Sequence, residues 1–153
     1  MSEKAPTTTS KVDVKWVEGN LFVGSDEEGH SVVFDSSLSA SPSKKGSRSS
    51  GIGPMKALLT SLGACSGMDV AAILLKRKQR LTSLNVEVSG KRAQFGFPKP
   101  FTEIHVTFRV GGEGLQEKYV KEAVTDSITK FCSVAATINE KAKVTFSYEI
   151  AQA

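Results

Sequence analysis

Hydrophobic and polar positions along the chain fall into segments of different period. Val12, Val14 and Trp16 alternate with Asp13, Lys15 and Val17, and two further short apolar runs follow at Leu21-Phe22-Val23 and Ser31 to Asp35. Alternation of period two is the mark of a half-buried strand, and the turn-forming stretches Glu18-Gly19-Asn20 and Asp26 to His30 separate the runs. This region is expected to form an antiparallel meander. From Gly53 the period changes. Pro54 suits a first helical turn, where its missing N–H would have no intrahelical partner. Between Met55 and Leu75 almost every residue is apolar or small, and Lys76-Arg77-Lys78 place cations where a helix dipole favours them. So uniform a segment predicts a central helix buried on every side. Near its middle stands Cys65 among Gly63, Ala64, Ser66 and Gly67, small residues that permit close approach of another element.

Alternation returns after the helix. Leu84, Val86 and Val88 predict a strand from about Thr82 to Arg92, and a Phe95 to Pro100 turn leads into a strand over Phe101 to Val110. Ile104, Val106, Phe108 and Val110 share its inner face, with His105 and Arg109 on the outer one. Gly111 to Gly114 is expected to end this hairpin. Leu115 to Lys130 reads as an amphipathic helix whose inner stripe holds Leu115, Tyr119, Val120, Ala123, Val124, Ile128 and Phe131. Ser133 is expected to cap a short helical turn, leaving Cys132 near an N-terminus whose dipole favours a thiolate. Val144 to Ile150 closes the chain as a strand. The sum is an α+β protein, β-β-β-α-β-β-α-β with an optional short helix before the last strand, its sheet mainly antiparallel. Residues 1–10 are expected to form a polar tail and 11–153 a single domain. One sheet and one amphipathic helix cannot cover a helix that is apolar all round. The simplest cover is a second copy of the chain, which predicts a homodimer.

Charge and composition narrow the function. The 153 residues carry a net charge of +4, and the basic clusters Lys44-Lys45…Arg48 and Lys76 to Arg80 fall in a loop and at a helix end. That is solvated charge rather than the basic, aromatic-lined face of a nucleic-acid binder. Lys56 and Asp69 within the apolar run oppose a membrane span, and Met1 to Ser10 lacks the apolar core of a signal peptide, so a soluble cytoplasmic protein is expected. His30 and His105 are isolated in sequence. Cys65 and Cys132 alone cannot furnish the four ligands of structural zinc, so neither metal nor cofactor is expected. The two thiols are left as free groups or as a redox pair. Residues 36–52, rich in Ser, Gly and Lys, form a long connection ahead of the cysteine helix. They either fold over the thiol and supply Arg48 as a cation, or remain a linker.

The run Gly53-Pro-Met-Lys-Ala-Leu-Leu-Thr-Ser-Leu-Gly-Ala-Cys-Ser66, followed by a long hairpin and a helix ending in Lys130-Phe-Cys-Ser-Val134, resembles the OsmC/Ohr family. The likeness extends from Lys11 to Ile150, and its details are nearest to the less studied OsmC-like branch. It implies an intertwined homodimer in which two central helices pack together, wrapped by sheets from both chains. It also implies thiol-dependent reduction of organic hydroperoxides and hydrogen peroxide in oxidative-stress defence. On that reading Cys65 is the peroxidatic cysteine and Cys132 resolves its sulfenic acid to a disulfide, which an external dithiol reduces. The family holds its thiolate with a carboxylate just after the proline and an arginine from the N-terminal hairpin. Here Met55 and Lys56 follow Pro54, and Val12 to Val23 contains no arginine, so Arg48 or Lys56 would supply the cation. Asp69, four residues after Cys65, faces the same side of the helix, where a carboxylate opposes a thiolate unless a cation across the dimer pairs with it. Two readings therefore stand: a cysteine-based hydroperoxide reductase, and a non-catalytic dimeric protein that binds a small ligand or senses redox state.

Overall fold

The computed structural model describes residues 5–36 and 49–152, and the chain gathers into two compact units, Met1–Ala57 and Leu58–Ala153. The first unit is built on the expected meander. Strands β1 (Val12–Glu18), β2 (Leu21–Asp26) and β3 (Ser31–Phe34) pair antiparallel in that order. Gly19 takes a positive φ of 51° in the first turn. In the second turn the Asp26 carboxylate accepts the N–H groups of Glu28 and His30 and lies 2.8 Å from the His30 ring, so His30 is a turn residue. The sheet is less buried than the alternation suggests. Every residue of β1 is exposed, Trp16 to 64%. Beyond β3, Asp35 accepts the N–H groups of both Ser36 and Ser50, which pins together the ends of the segment between them.

Helix α1 (Pro54–Lys76) starts at the proline as the sequence requires and continues from the first unit into the second. Its buried residues, Leu62, Gly63, Ser66, Gly67, Val70 and Leu74, recur at helical spacing and form one stripe. The expectation of burial on every side therefore fails for a single chain: Leu58, Met68 and Leu75 stay exposed, Met68 to 72%. By length and composition α1 could cross a membrane, yet it lays its buried stripe on a sheet. The two glycines make that contact close. A Cβ at Gly63 would lie 3.0 Å from Val88 Cγ2, and one at Gly67 3.2 Å from Val86 Cγ2. Ser66, fully buried in the stripe, satisfies its hydroxyl by donating to the Leu62 carbonyl at 2.8 Å.

The sheet under α1 consists of β4 (Arg80–Arg92), β5 (Phe101–Glu113) and β6 (Lys143–Gln152), in the order β4-β5-β6. Strands β4 and β5 form the predicted antiparallel hairpin, extended through Gly111 and Gly112, which pair with Ser83 and Leu81 rather than ending the strand. Ile104, Val106, Phe108 and Val110 are at most 1% exposed, while His105 on the opposite face lies between Thr145 and Ser147 hydroxyls. The last strand pairs with β5 in parallel, an exception within the mainly antiparallel arrangement. A parallel neighbour needs a long crossover, and the helical segment between β5 and β6 provides it.

That segment contains the expected short helix before the last strand but departs from the helix read over Leu115 to Lys130, which gives way to a wider turn. It comprises α2 (Glu117–Asp126), a π-helical turn (Ser127–Phe131) and α3 (Ser133–Ile138). Val120, Ala123 and Val124 are buried as expected, and Ser127 joins them. Phe131, assigned to the inner stripe, is 57% exposed because the wider turn carries it off the helical period. At the other end of the segment, the Gln79 side-chain oxygen accepts the Gln116 N–H and ties the chain after α1 to the start of α2.

Candidate functional site

Cys65 sits halfway along α1, and one turn later Asp69 projects from the same side. Both are half-buried, because they lie on the border between the stripe packed on the sheet and the exposed apolar side of the helix. Cys132 arrives from the crossover segment and is 2% exposed. The Sγ atoms of Cys65 and Cys132 and a carboxylate oxygen of Asp69 all lie within 4.8 Å of one another. Residues 67 positions apart thus meet in one cluster, with both thiols free.

Local geometry delivers Cys132. Its N–H donates to the Ser127 carbonyl at 2.8 Å, closing the π-helical turn, and its backbone then becomes extended. Cys132, rather than Ser133, is the N-cap of α3, and its Sγ accepts the Ala135 N–H at 3.4 Å. Two influences on this thiol oppose each other. Burial disfavours the thiolate most, and the nearby Cys65 adds to that, while the Ala135 N–H favours it. Burial wins, and the Cys132 pKa is pushed up to about 11. The pull of the helix N-terminus towards a thiolate is therefore outweighed, because the Ala135 and Val134 amides do not replace lost hydration.

Asp69 finds its partner within the same chain. The Ser127 hydroxyl lies 3.3 Å from Asp69 Oδ2 and 3.0 Å from the Ser66 carbonyl, both within donating distance. Ser127 was not foreseen as part of the site. Its only trace in the sequence is a small polar residue where the helical period calls for an apolar one. A concavity of about 460 Å³ borders Cys132, lined among others by Phe131, Ala136, Val144 and Phe146. Lys56 is exposed in the first turn of α1. Arg48, the other cation expected at the site, lies outside the described residues.

A buried thiol, a half-buried thiol and a carboxylate thus meet between the long apolar helix and the crossover segment. A model of the family described as OsmC-like protein matches residues 45–147. The chain belongs to the OsmC-like family. It is 36% identical over 141 residues to Protein YhfA of Escherichia coli K12, covering 92% of this chain and 97% of YhfA. The crystal structure of a hypothetical protein from Aquifex aeolicus superposes with a TM-score of 0.80 at 26% identity, covering 96% of this chain and 99% of that one. The organic hydroperoxide resistance protein OhrB of Bacillus subtilis shares the fold at a TM-score of 0.57 and 16% identity, covering 94% and 98% of the two chains. The central helix and the crossover segment that carry the two cysteines thus belong to a fold that these proteins share.

Proposed function

We propose that this OsmC-like protein is a thiol peroxidase that reduces small hydroperoxides in the reducing cytoplasm. The observation that carries the reading is the proximity of the Cys65 and Cys132 sulfurs, which with Asp69 lie within 4.8 Å. A peroxidatic thiol needs a second thiol within reach to turn a sulfenic acid into a recyclable disulfide. In the first step the Cys65 thiolate attacks the O–O bond. The terminal oxygen becomes Cys65–SOH, and the alkoxide leaves with a proton as the alcohol. In the second, the Cys132 sulfur displaces water from the sulfenic acid to give the disulfide. An external dithiol then restores both thiols by exchange. The half-buried position of Cys65 suits the first role and the buried position of Cys132 the second, since only the attacking thiol must meet the substrate.

The exposed apolar side of α1 beside Cys65 carries Leu58, Met68 and Leu75. A second copy of the chain would cover it, and an apolar wall so formed next to the thiol would receive the alkyl part of an organic hydroperoxide. The relationship to organic hydroperoxide resistance proteins supports the same substrate class.

A stoichiometric titration of the reduced protein with cumene hydroperoxide tests the reading, with free thiols and intact mass followed in wild type, Cys65→Ser and Cys132→Ser. The expected result is loss of two thiols and about two mass units in the wild type, one intramolecular disulfide having formed. Cys132→Ser should accumulate a trappable sulfenic acid. Thiols that survive an excess of peroxide would refute it. They would leave the non-catalytic reading, in which the same cleft at the dimer interface holds a small apolar ligand.

A further inference from the structure

The Asp69 carboxylate beside the two thiols completes a different kind of site. If Cys65, Asp69 and Cys132 were all ionised, three negative charges would share a space 4.8 Å across. Bare, three like charges so close together are unfavourable. A divalent cation placed among them reverses the balance, since it neutralises two charges and makes thiolates the preferred form. We propose that the reduced protein binds one zinc-class divalent cation through Cys65 Sγ, Cys132 Sγ and the Asp69 carboxylate.

The donor set and its supports fit. Zinc is held at about 2.3 Å from sulfur and about 2.0–2.2 Å from carboxylate oxygen, and two tetrahedral sulfur ligands then stand about 3.8 Å apart. Donor atoms already within 4.8 Å of one another stand close to that spacing. Cys65 and Asp69 hold two corners from one face of a rigid helix. The N-cap geometry of α3 holds the third. The Ser127 hydroxyl, 3.3 Å from Asp69 Oδ2 and 3.0 Å from the Ser66 carbonyl, is placed to turn its proton to a metal-bound carboxylate, as partners of such carboxylates do. Two sulfur donors select zinc, cobalt or a softer ion over magnesium and calcium, which take oxygen. Three protein ligands leave a fourth position for water or an exogenous group. Both sulfurs bind the cation as thiolates. A disulfide between the same sulfurs removes the site, so metal binding and oxidation exclude each other.

The inference does not depend on peroxidase activity and is tested without it. Reduced, chelator-stripped full-length protein is titrated with cobalt(II), then with zinc(II) in competition with a chromophoric chelator. One cobalt per chain should bind with thiolate-to-metal charge-transfer absorption, zinc should displace it, and both cysteines should become unreactive to a disulfide reagent. Magnesium should do none of this. Asp69→Asn should weaken zinc by tenfold or more and Ser127→Ala by about tenfold, with circular dichroism unchanged. Binding in wild type of less than half a cobalt per chain, or without charge-transfer absorption, overturns the proposal even if the variants fail to fold. Undiminished affinity in a folded Asp69→Asn would overturn the three-ligand site.

Discussion

The Cys132 thiol offers a direct check on the balance between burial and hydrogen bonding at the site. Its pKa is raised from an ordinary 9.0 to about 11, with burial the leading cause and Cys65 a smaller one. At pH 8 that lowers the thiolate fraction by about a hundredfold, from roughly a tenth to roughly a thousandth. Intrinsic nucleophilicity rises with basicity on a Brønsted slope of about 0.4–0.5, which returns a factor of about six to ten. The net reactivity of Cys132 is therefore about tenfold below that of an ordinary thiol, before any loss from restricted access. The titration is best read by ultraviolet thiolate absorbance in Cys65→Ser, where one thiol remains and access plays no part. Its midpoint should lie above 9.0, because the burial that dominates the shift survives removal of Cys65. The same protein unfolded in urea should titrate near the ordinary value. Above that value the unfolded chain releases its proton first. This contribution to stability is therefore fully present below about pH 9 and is lost as the pH rises towards 11. A folded-state midpoint at or below 9.0 would show that the Ala135 amide and the α3 terminus outweigh burial, and would refute the reasoning.

Three further outcomes follow from other parts of the molecule. A Cβ at Gly90 would come within 2.6 Å of the Phe101 ring, so Gly90→Ala should destabilise the protein by about 1–3 kcal/mol, read as a lower urea midpoint with an unchanged slope. If a second copy covers the exposed side of α1, Met68→Glu should convert a dimer to a folded monomer in sedimentation experiments; a wild-type protein that is already monomeric would remove that reading. The His30 ring beside Asp26 holds that carboxyl below its ordinary 3.8, so an NMR titration should give a lower midpoint that moves back up in His30→Ala. Any stability this contact contributes is present above the ordinary carboxylate pKa and lost as the pH falls through the lowered one.

The segments easiest to read from the sequence were those whose side chains repeat with one period. The meander, the long helix and the Ile104 to Val110 face follow directly from alternation or its absence, since a buried face must repeat with the backbone. Where neighbours decide the outcome, the sequence was silent. The Gly111-Gly112 pair reads as a turn, yet it continues a strand because Leu81 and Ser83 pair with it. The period does not reveal that α1 buries one stripe in a single chain, because apolar residues look alike whether a sheet covers them or nothing does. Cys65 and Asp69 were legible as one helix face. Cys132 was legible as a second thiol, but its place against them rests on a crossover whose path no local pattern encodes. Ser127, a hydroxyl in an apolar stripe, acquires meaning only once Asp69 stands opposite it.

The π-helical turn at Ser127–Phe131 makes the meeting of the two sulfurs a matter of counting. Each residue of an α-helix advances the direction of its side chain by about 100°. Had the same residues continued as ordinary α-helix, each step from Ser127 onward would turn further and Cys132 would swing away from α1. No atom of Cys65, Asp69 or Cys132 would change, yet the cluster would come apart. The length of this stretch is thus under a constraint that its residue types are not. Substitutions at Thr129 and Lys130 should be tolerated freely, whereas inserting one further residue there should separate the thiols while the sheet and α1 remain folded.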